Sequence, residues 1–349
     1  MSKSIIAITM GDPGGVGPEI IVQTLRDLQP SESCSYLVIG ARQAFDCVKA
    51  KLHLELPFHS AVINPSYYLL LKQDAVNFLD INAEAHALLG RGNQRLETLN
   101  ANPVKPLAFE IGKVSRTNAA LAYAALEMAT KLALRGLADA IVTAPIHKAA
   151  MRLIDPKFQG HTEYLAGASK TKTFAMMFVS PRLKLTLVTI HVPVKKIAKL
   201  ITAGLVFEKI SLTHQFLQNR LKIASPKIAV CALNPHGSET GDEELSVIRP
   251  AVKKAQRHRM DVTGPFSADQ LFYDAYEGRY DALISMYHDQ GLGPFKMIAF
   301  HEGVNVTLGL PFVRTSPDHG TAFGIAYQGK AAPSSMREAL ALAKKLAAP

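Results

Sequence analysis

The chain has 349 residues, of which 48% are hydrophobic and 19% are charged, so it can bury a large core and does not have the composition of a disordered protein. Its longest apolar stretches fall well short of the ~18 residues that span a bilayer. The start, MSKSIIAITM, has neither the apolar length nor the cleavage site of a signal peptide. We therefore expect a cytoplasmic globular protein, and the length favours two lobes.

Charge and cysteine content point to no special class of protein. The formal net charge is +10, but the Lys and Arg residues are spread along the chain, no basic run is interleaved with aromatic residues, and Trp is absent. An ordinary solvated surface explains this charge best, and attraction of a small anionic substrate fits as well as a nucleic-acid role. Cys34, Cys47 and Cys231 are far apart and show no C-x-x-C spacing. We therefore expect reduced thiols without a zinc or redox function.

Strand and helix signals alternate along most of the chain. Short apolar runs, rich in β-branched residues or bounded by turn formers, predict strands at 5–9, 36–39, 140–143, 174–179, 185–190, 228–233 and 282–286. Helical patterns lie at 118–135, 194–201, 205–221, 243–257 and 335–346. In the clearest helix, 118–135, Thr117 is the expected N-cap and Gly136 follows the last turn. This alternation predicts α/β layers with a largely parallel sheet.

The first predicted strand leads into a glycine-rich turn, MGDPGGVGPEI, at 10–20. Its glycines allow close approach by a ligand or by another segment of the chain, and Pro18 suits the first turn of a following helix. The spacing is not G-x-G-x-x-G, so a Rossmann dinucleotide fingerprint is not predicted. A tight strand-to-helix turn without a ligand explains the pattern equally well.

Three histidines follow, or lie at the end of, predicted strands: His191 in TIHVP, His236 in LNPHGSE and His288 in MYHDQG. Strand ends at one edge of a parallel sheet converge in space. Three neutral imidazoles that leave positions open suit a catalytic Zn²⁺ or a similar divalent ion, which polarises a substrate oxygen. A single histidine is more often structural or solvated, so the prediction of a metal site depends on the setting that all three share.

A second set of residues suits anions. His161 and Thr162 precede an apolar helix start and offer an imidazole, a hydroxyl and backbone N–H groups, while Lys296, Asn305 and Arg314 add a point charge, an amide and a planar fork. Each cation alone is more often a surface charge. Arg314 differs because it follows the apolar run 306–313, where an unpaired buried charge would be costly. Together these groups are able to hold a phosphate and a carboxylate.

The region 287–330 concentrates polar groups between glycines. Besides Lys296, Asn305 and Arg314 it contains two pairs of an acid and an imidazole, His288 with Asp289 and Asp318 with His319; the pattern lacks a clean apolar period. It therefore predicts polar groups placed on loops at the ends of short strands.

The motifs ITMGDPGGVGPEI, VTAPIHK, GHTEYLA, LNPHGSE, GPFSAD, YHDQG and GVNVTLGLPFVRTSPDHGTA occur in this order over nearly the full length. In them the chain resembles the 4-hydroxythreonine-4-phosphate dehydrogenases of pyridoxal phosphate (vitamin B6) biosynthesis. GDPGGVGPEI and DHGTAFGIAYQGK are also similar to the first-strand turn and the adenosine-binding loop of isopropylmalate and isocitrate dehydrogenases. The resemblance implies their two-lobed α/β/α fold with an active site in the cleft between lobes. One expected lobe comprises 1–150 and 303–349, with the glycine-rich turn and the cofactor loop; the other, 151–302, carries the metal ligands and the dimer contact.

The resemblance also implies an activity and a set of functional residues. The activity is NAD-dependent oxidation of the 3-hydroxyl of 4-phosphooxy-L-threonine, followed by loss of CO₂ to give 3-amino-2-oxopropyl phosphate, in a homodimer whose metal ligands come from both subunits. The matching positions are His191, His236 and His288 for a divalent metal, His161, Thr162, Lys296, Asn305 and Arg314 for substrate, and Asp318, His319, Gly320 and Thr321 for the cofactor.

Several points stay open at this level. Asp289 is a candidate general acid or base, although a role in orienting a metal-bound histidine is equally compatible with its position. The metal is Zn, Mg or Co, and NADP is not separated from NAD. The turn after His236, GSETGDEE, is shorter than the glycine-rich loop expected in many members. Close relatives that act on D-threonine 4-phosphate or a related hydroxy acid share the histidines, and a three-histidine metal hydrolase or aldolase is a more distant alternative.

Overall fold

The computed structural model describes residues 3–28, 34–63, 69–72, 75–90 and 105–348. The chain forms two compact units: unit 1 comprises Met1–Lys170 with Pro311–Pro349, and unit 2 comprises Thr171–Leu310. Strands and helices alternate in both, which confirms the predicted α/β class. The lobes expected from sequence divide at 150/151 and 302/303, whereas the compact units divide at 170/171 and 310/311. Among the described residues, no helix combines the length and the apolar character needed to cross a bilayer.

Unit 1 is built on six strands in the order β14-β7-β1-β2-β6-β3, and all the neighbouring pairs are parallel. β4 and β5 form a separate antiparallel pair. On β1, residues 6–8 are at most 1% exposed, as expected for a strand covered by helices on both faces. The strands are β1 Ser4–Thr9, β2 Cys34–Gly40, β3 Phe58–Ser60, β4 Val62–Ile63, β5 Leu69–Leu70, β6 Val76–Asp80, β7 Ala140–Thr143 and β14 Val313–Pro317.

The helices of unit 1 are α1 Gly17–Arg26, α2 Arg42–Leu52, α3 Asn82–Leu88, α4 Arg116–Leu134, α5 Lys148–Met151, α6 His161–Ala168 and α12 Ser334–Ala347. The expected N-cap of α4, Thr117, was wrong. Ser115 is the cap, because its side-chain oxygen accepts the N–H of Asn118 at 3.1 Å. The alanine-rich helix α4 packs against the sheet through small side chains, which allow close approach.

The glycines of the turn between β1 and α1 are covered by other parts of unit 1. A β-carbon at Gly15 would lie 2.7 Å from the carbonyl oxygen of Thr321, and the N–H of Val16 donates to that oxygen at 2.9 Å. The hydroxyl of Tyr327 donates to the carbonyl of Pro13 at 2.7 Å. Of the two explanations that the sequence leaves open, the structure therefore supports close approach by another chain segment at this turn.

Asp12 lies inside the same turn and is 1% exposed. Its Oδ1 accepts the N–H of Gly14 at 2.9 Å. Burial raises the pKa of this carboxyl group from 3.8 to about 6, although the hydrogen bonds from Gly14 and Asn118 oppose the rise. Ionisation of Asp12 is therefore less favourable in the folded protein than in water, because the buried carboxylate lacks hydration.

Unit 2 has the strand order β11-β10-β12-β9-β8-β13, in which β10, β12 and β9 are parallel neighbours and β8 is antiparallel to both β9 and β13. The strands are β8 Ala175–Val179, β9 Lys184–Leu187, β10 Ile228–Cys231, β11 Val262–Phe266, β12 Ala282–Ser285 and β13 Val304–Leu308. The helices are α7 Ile197–Leu200, α8 Ala203–Asn219, α9 Arg249–Arg257, α10 Ala268–Tyr276 and α11 His288–Ala299. The helix expected at 243–257 begins as a π-helical turn, Glu244–Ile248, before α9.

The prediction that the polar groups of 287–330 sit on loops was wrong for most of them. His288, Asp289 and Lys296 lie on helix α11, and Asn305 and Arg314 lie on β13 and β14. Two glycines and a proline inside α11 lower its helix propensity and hide the helical period. Packing explains one of these glycines, because a β-carbon at position 291 would lie 2.7 Å from the side chain of Leu185.

Candidate functional site

The three histidines predicted to bind a metal all lie in unit 2, beyond the carboxyl ends of neighbouring strands. Strand β12 lies between β9 and β10, and the three run parallel. His191 follows β9, His236 follows β10, and His288 begins α11 after β12. Because the ends of parallel strands meet at one edge, the sheet brings these three backbone segments to the same side of unit 2.

Two of the three imidazoles are close together. The ring centroids of His191 and His288 lie 5.8 Å apart. His288 Nδ1 lies 2.7 Å from Asp289 Oδ1, which leaves Nε2 of that ring available to a ligand. This pair, of which His191 is exposed and His288 is half-buried, fits a divalent ion that prefers nitrogen ligands. Within the described part of the chain, however, no three His, Cys, Asp or Glu side chains come together as a metal site, so His236 does not join the pair within one chain.

A buried carboxylate holds the backbone before His236. Glu244 is 0% exposed, and its Oε1 accepts the N–H groups of Leu233 and Asn234 at 2.8 Å each, while Oε2 accepts from the Asn234 side-chain amide at 3.1 Å. Although burial alone would raise it, these hydrogen bonds lower the pKa of Glu244, so the group is ionised at neutral pH. His236 itself has a left-handed backbone, φ 56°. The clamp therefore fixes a loop of irregular geometry.

Three of the residues predicted to contact substrate lie in unit 1: Arg314, which is a buried cation, and His161 and Thr162. Arg314 is 3% exposed, and its guanidinium donates to Thr143 Oγ1 through Nη2 at 2.8 Å and Nε at 3.2 Å. Burial lowers the pKa of Arg314 to about 10, although the carboxylate of Glu163 opposes this. Arg314 therefore stays charged at neutral pH. His161 and the buried Thr162 begin helix α6, whose N-terminal end favours an anion.

His161 has a buried polar atom that lacks a partner in the part of the chain that the structure describes. Its Nε2 is buried, and none of the described residues forms a hydrogen bond to it. Burial, together with the positive charges of Arg314 and Lys148, lowers the pKa of His161 well below 6.5, so the imidazole is neutral. A buried ring nitrogen without a partner is costly, and a ligand that donates to it or accepts from it removes this cost.

The other two predicted substrate contacts lie in unit 2. Lys296 is half-buried on helix α11, and Asn305 is half-buried on β13. Among the described residues, Asn305 Oδ1 and His161 Nε2 are both buried polar atoms without a hydrogen-bond partner, the first in unit 2 and the second in unit 1.

The residues expected to bind a cofactor belong to the loop after β14. His319 and Gly320 are exposed, whereas Thr321 is buried and holds the glycine-rich turn through its carbonyl oxygen. The N–H of Asp318 donates to Ser335 Oγ at 3.1 Å. A β-carbon at Gly320 would meet no atom within 4 Å, so the backbone there is open to an approaching molecule. His319 and Gly320 are therefore accessible from solvent, whereas Thr321 makes a structural contact of its own.

Sequence reasoning did not find Thr143, Lys148 or Glu244. Thr143 and Lys148 both lie within the motif VTAPIHK, but nothing in their spacing marks them as neighbours of Arg314 or His161. Glu244 looks like an ordinary acid near a helix start. Its role depends on two backbone N–H groups that only the folded loop presents to it.

Comparison with known proteins assigns the chain to a family. The model of the pyridoxal phosphate biosynthetic protein PdxA matches residues 32–343. The chain is 39% identical to the D-threonate 4-phosphate dehydrogenase of Salmonella typhimurium, with 99% of this chain and 100% of that protein covered. It is also 39% identical to the 4-hydroxythreonine-4-phosphate dehydrogenase of Geobacter metallireducens, with 99% and 96% covered.

A solved structure agrees with these sequence matches. The 4-hydroxythreonine-4-phosphate dehydrogenase of Klebsiella pneumoniae superimposes with a TM-score of 0.79 at 34% identity, covering 99% of this chain and 100% of that one. The family named from the motifs is confirmed, and the hydrolase and aldolase alternatives lose their support, because these relatives are named dehydrogenases. The chain therefore belongs to the PdxA family and is an oxidoreductase.

Proposed function

We propose that this enzyme oxidises the 3-hydroxyl of 4-phosphooxy-L-threonine with NAD and a divalent metal ion, and that loss of CO₂ then gives 3-amino-2-oxopropyl phosphate. The observation that carries the proposal is the buried Arg314 guanidinium beside the unpartnered Nε2 of His161. A fixed planar cation next to a neutral imidazole suits an anionic group that also carries a hydroxyl or phosphate oxygen.

The residues of the chain bind and orient the substrate. Arg314 supplies a charged fork to one anionic end, and His161 and Thr162 add polar contacts from the start of α6. In unit 2, Lys296 supplies a point charge and Asn305 an amide oxygen. His191, His236 and His288 would hold a divalent ion, which would supply Lewis-acid polarisation of the oxygen at C3, and a bound nicotinamide would supply the hydride acceptor.

Asp289 is better suited to orient His288 than to move protons. Its Oδ1 lies 2.7 Å from His288 Nδ1, and its side chain is 83% exposed. A carboxylate in this position selects the tautomer in which Nε2 is free to ligate. We therefore assign Asp289 the orienting role and leave the general acid or base unassigned.

A homodimer is part of the proposal, because one chain does not bring all three histidines together. Large apolar side chains are exposed near these histidines in sequence: Met297 is 89% and Phe300 68% exposed around the end of α11, and Val194 is 73% exposed just after His191. Exposed apolar side chains of this kind favour burial against a partner. In a homodimer, His236 of one subunit can complete the pair His191 and His288 of the other.

D-threonate 4-phosphate is the second candidate substrate, because a relative with that name matches this chain as well as a 4-hydroxythreonine-4-phosphate dehydrogenase does. It carries a hydroxyl at C2 where phosphothreonine carries an ammonium group. Oxidation at C3 and loss of CO₂ would then give dihydroxyacetone phosphate instead of the amino ketone.

The test mixes the purified enzyme with NAD⁺, Zn²⁺, Mg²⁺ or Co²⁺, and each substrate in turn, and follows the absorbance of reduced nicotinamide. We expect turnover with 4-phosphooxy-L-threonine and equimolar CO₂. Turnover with D-threonate 4-phosphate alone would overturn the vitamin B6 assignment, and no reduction with either would overturn the dehydrogenase substrate class. His288→Ala should abolish metal-supported turnover while leaving the far-UV circular dichroism spectrum intact, whereas His258→Ala, which changes an exposed histidine of the same unit, should leave turnover unchanged.

A further inference from the structure

Gln290, on the first turn of α11, uses both ends of its side-chain amide. Its Oε1 accepts the N–H of Met286 at 2.8 Å and the hydroxyl of Ser285 at 2.9 Å. Its Nε2 donates to the carbonyl oxygen of Ala232 at 2.7 Å. Only a carboxamide supplies an acceptor and a donor together in this geometry, so neither a carboxylate nor an apolar side chain can replace it fully.

These hydrogen bonds connect the ends of β10 and β12 beyond the point where the backbone pairing of the two strands stops. The parallel pairing of β10 with β12 ends at Val230 and Ile284, before Ala232 and Met286 are reached. Ala232 leads into the loop of His236, and Met286 leads into His288. Beyond the last backbone pair, Gln290 therefore joins the two segments that carry predicted metal ligands.

The opposite side of β12 needs no such side chain. There the backbone continues the connection, because the N–H of Val188 donates to Ser285 at 2.8 Å and that of Thr189 donates to Met286 at 3.1 Å. The hydroxyl of Thr189 adds a bond to the same Met286 carbonyl at 2.8 Å. The segment that leads to His191 is thus held to β12 by main-chain bonds, and the segment that leads to His236 is held to it by Gln290.

We propose that Gln290 is a positioning residue that keeps the loop of His236 in register with His288 and thereby sets the affinity for the divalent metal. The clamp formed by Glu244 continues this restraint from Ala232 to Leu233 and Asn234. The inference rests on the proposed function, in which these histidines are metal ligands. Because each loop is fixed within its own subunit, the restraint applies whether one subunit or two supply the ligands.

The experiment measures Zn²⁺ affinity of the full-length protein by competition with a chelator, alongside the melting temperature of the metal-free form. Gln290→Met removes all three bonds. Gln290→Glu keeps an acceptor for Met286 and Ser285 but cannot donate to Ala232. We expect both to bind Zn²⁺ more weakly, by roughly 10–100-fold, as is usual when a group that supports a metal ligand is removed. Gln270→Met, which loses one exposed hydrogen bond within α10, is the matched control and should bind as the wild type does.

Each outcome decides the matter. Suppose that the wild-type protein binds Zn²⁺ and turns over substrate. If Gln290→Glu then binds Zn²⁺ with the same affinity as the wild type, this inference is overturned and the proposed function stands. No binding of Zn²⁺, Mg²⁺ or Co²⁺ by the wild-type protein overturns both. If Gln290→Met does not fold, Gln290→Glu carries the test, and failure of both to fold would overturn the positioning role because the side chain would then be required by the fold of unit 2. A lower melting temperature with unchanged Zn²⁺ affinity would also overturn it.

Discussion

Replacing the buried Asp12 with asparagine should change how the stability of unit 1 depends on pH. The carboxyl pKa rises from 3.8 to about 6 on folding. At 1.36 kcal/mol per unit, this rise of about two units corresponds to about 3 kcal/mol. The folded state binds more protons than the unfolded state between these two pH values, so stability falls as the pH rises from about 4 to about 6 and is level above that range.

Asp12→Asn removes this titration and keeps a neutral oxygen that can accept the N–H of Gly14. We expect the variant to lose the decline between pH 4 and 6 and, at pH 8, to be more stable than the wild type by up to about 3 kcal/mol. Urea unfolding of the metal-free protein, followed by circular dichroism at several pH values, measures both effects. Asp46→Asn, on the exposed face of α2, is the control. A variant that keeps the wild-type pH dependence, or is less stable at pH 8, would refute the role of burial.

Three further predictions concern the site and its surroundings. Glu244→Ala leaves the N–H groups of two loop residues without an acceptor, so we expect unit 2 to lose roughly 2–5 kcal/mol in urea unfolding, and an unchanged midpoint would contradict the clamp. Arg314→Lys keeps the charge but loses the planar fork, so steady-state kinetics should give a kcat/KM lower by roughly 10–100-fold; equal kinetics would mean that the fork does not contact substrate. Met297→Asp should dissociate the proposed dimer in sedimentation velocity, whereas Val114→Asp, which changes an exposed residue of unit 1, should not; a dimeric Met297→Asp would place the subunit contact elsewhere.

The strands of the sheet could be predicted where local pattern decides them. All seven predicted strands are present, because each is an apolar run buried in the sheet of its unit. The short strands β3 to β5 were missed, since two or three residues hold too little pattern, and the five-residue strand β6 was missed as well. Helix α11 was missed because its glycines lower the local helix propensity. Gly291 is required by packing against Leu185, which is distant in sequence and cannot be recognised from the local pattern.

The functional residues divide in the same way. The family motifs named His161, His191, His288 and Arg314, and the structure adds their environments: a buried nitrogen without a partner, a pair of rings and a buried guanidinium. Gln290 could not have been assigned a role from sequence, because its three partners lie on two strand ends that the fold alone brings together.

The discontinuous build of unit 1 has a consequence for biosynthesis. The carbonyl of Thr321 accepts a hydrogen bond from the N-terminal glycine-rich turn, and β14 pairs with β7. The core that the N-terminal segment begins is therefore completed by the C-terminal segment. Unit 2, Thr171–Leu310, is continuous and is fully synthesised before that segment leaves the ribosome. We therefore expect the middle of the protein to fold before its beginning, with residues 1–170 exposed to proteases until translation ends. Limited proteolysis of nascent chains stalled after 310 tests this order, and early protection of the N-terminal part would contradict it.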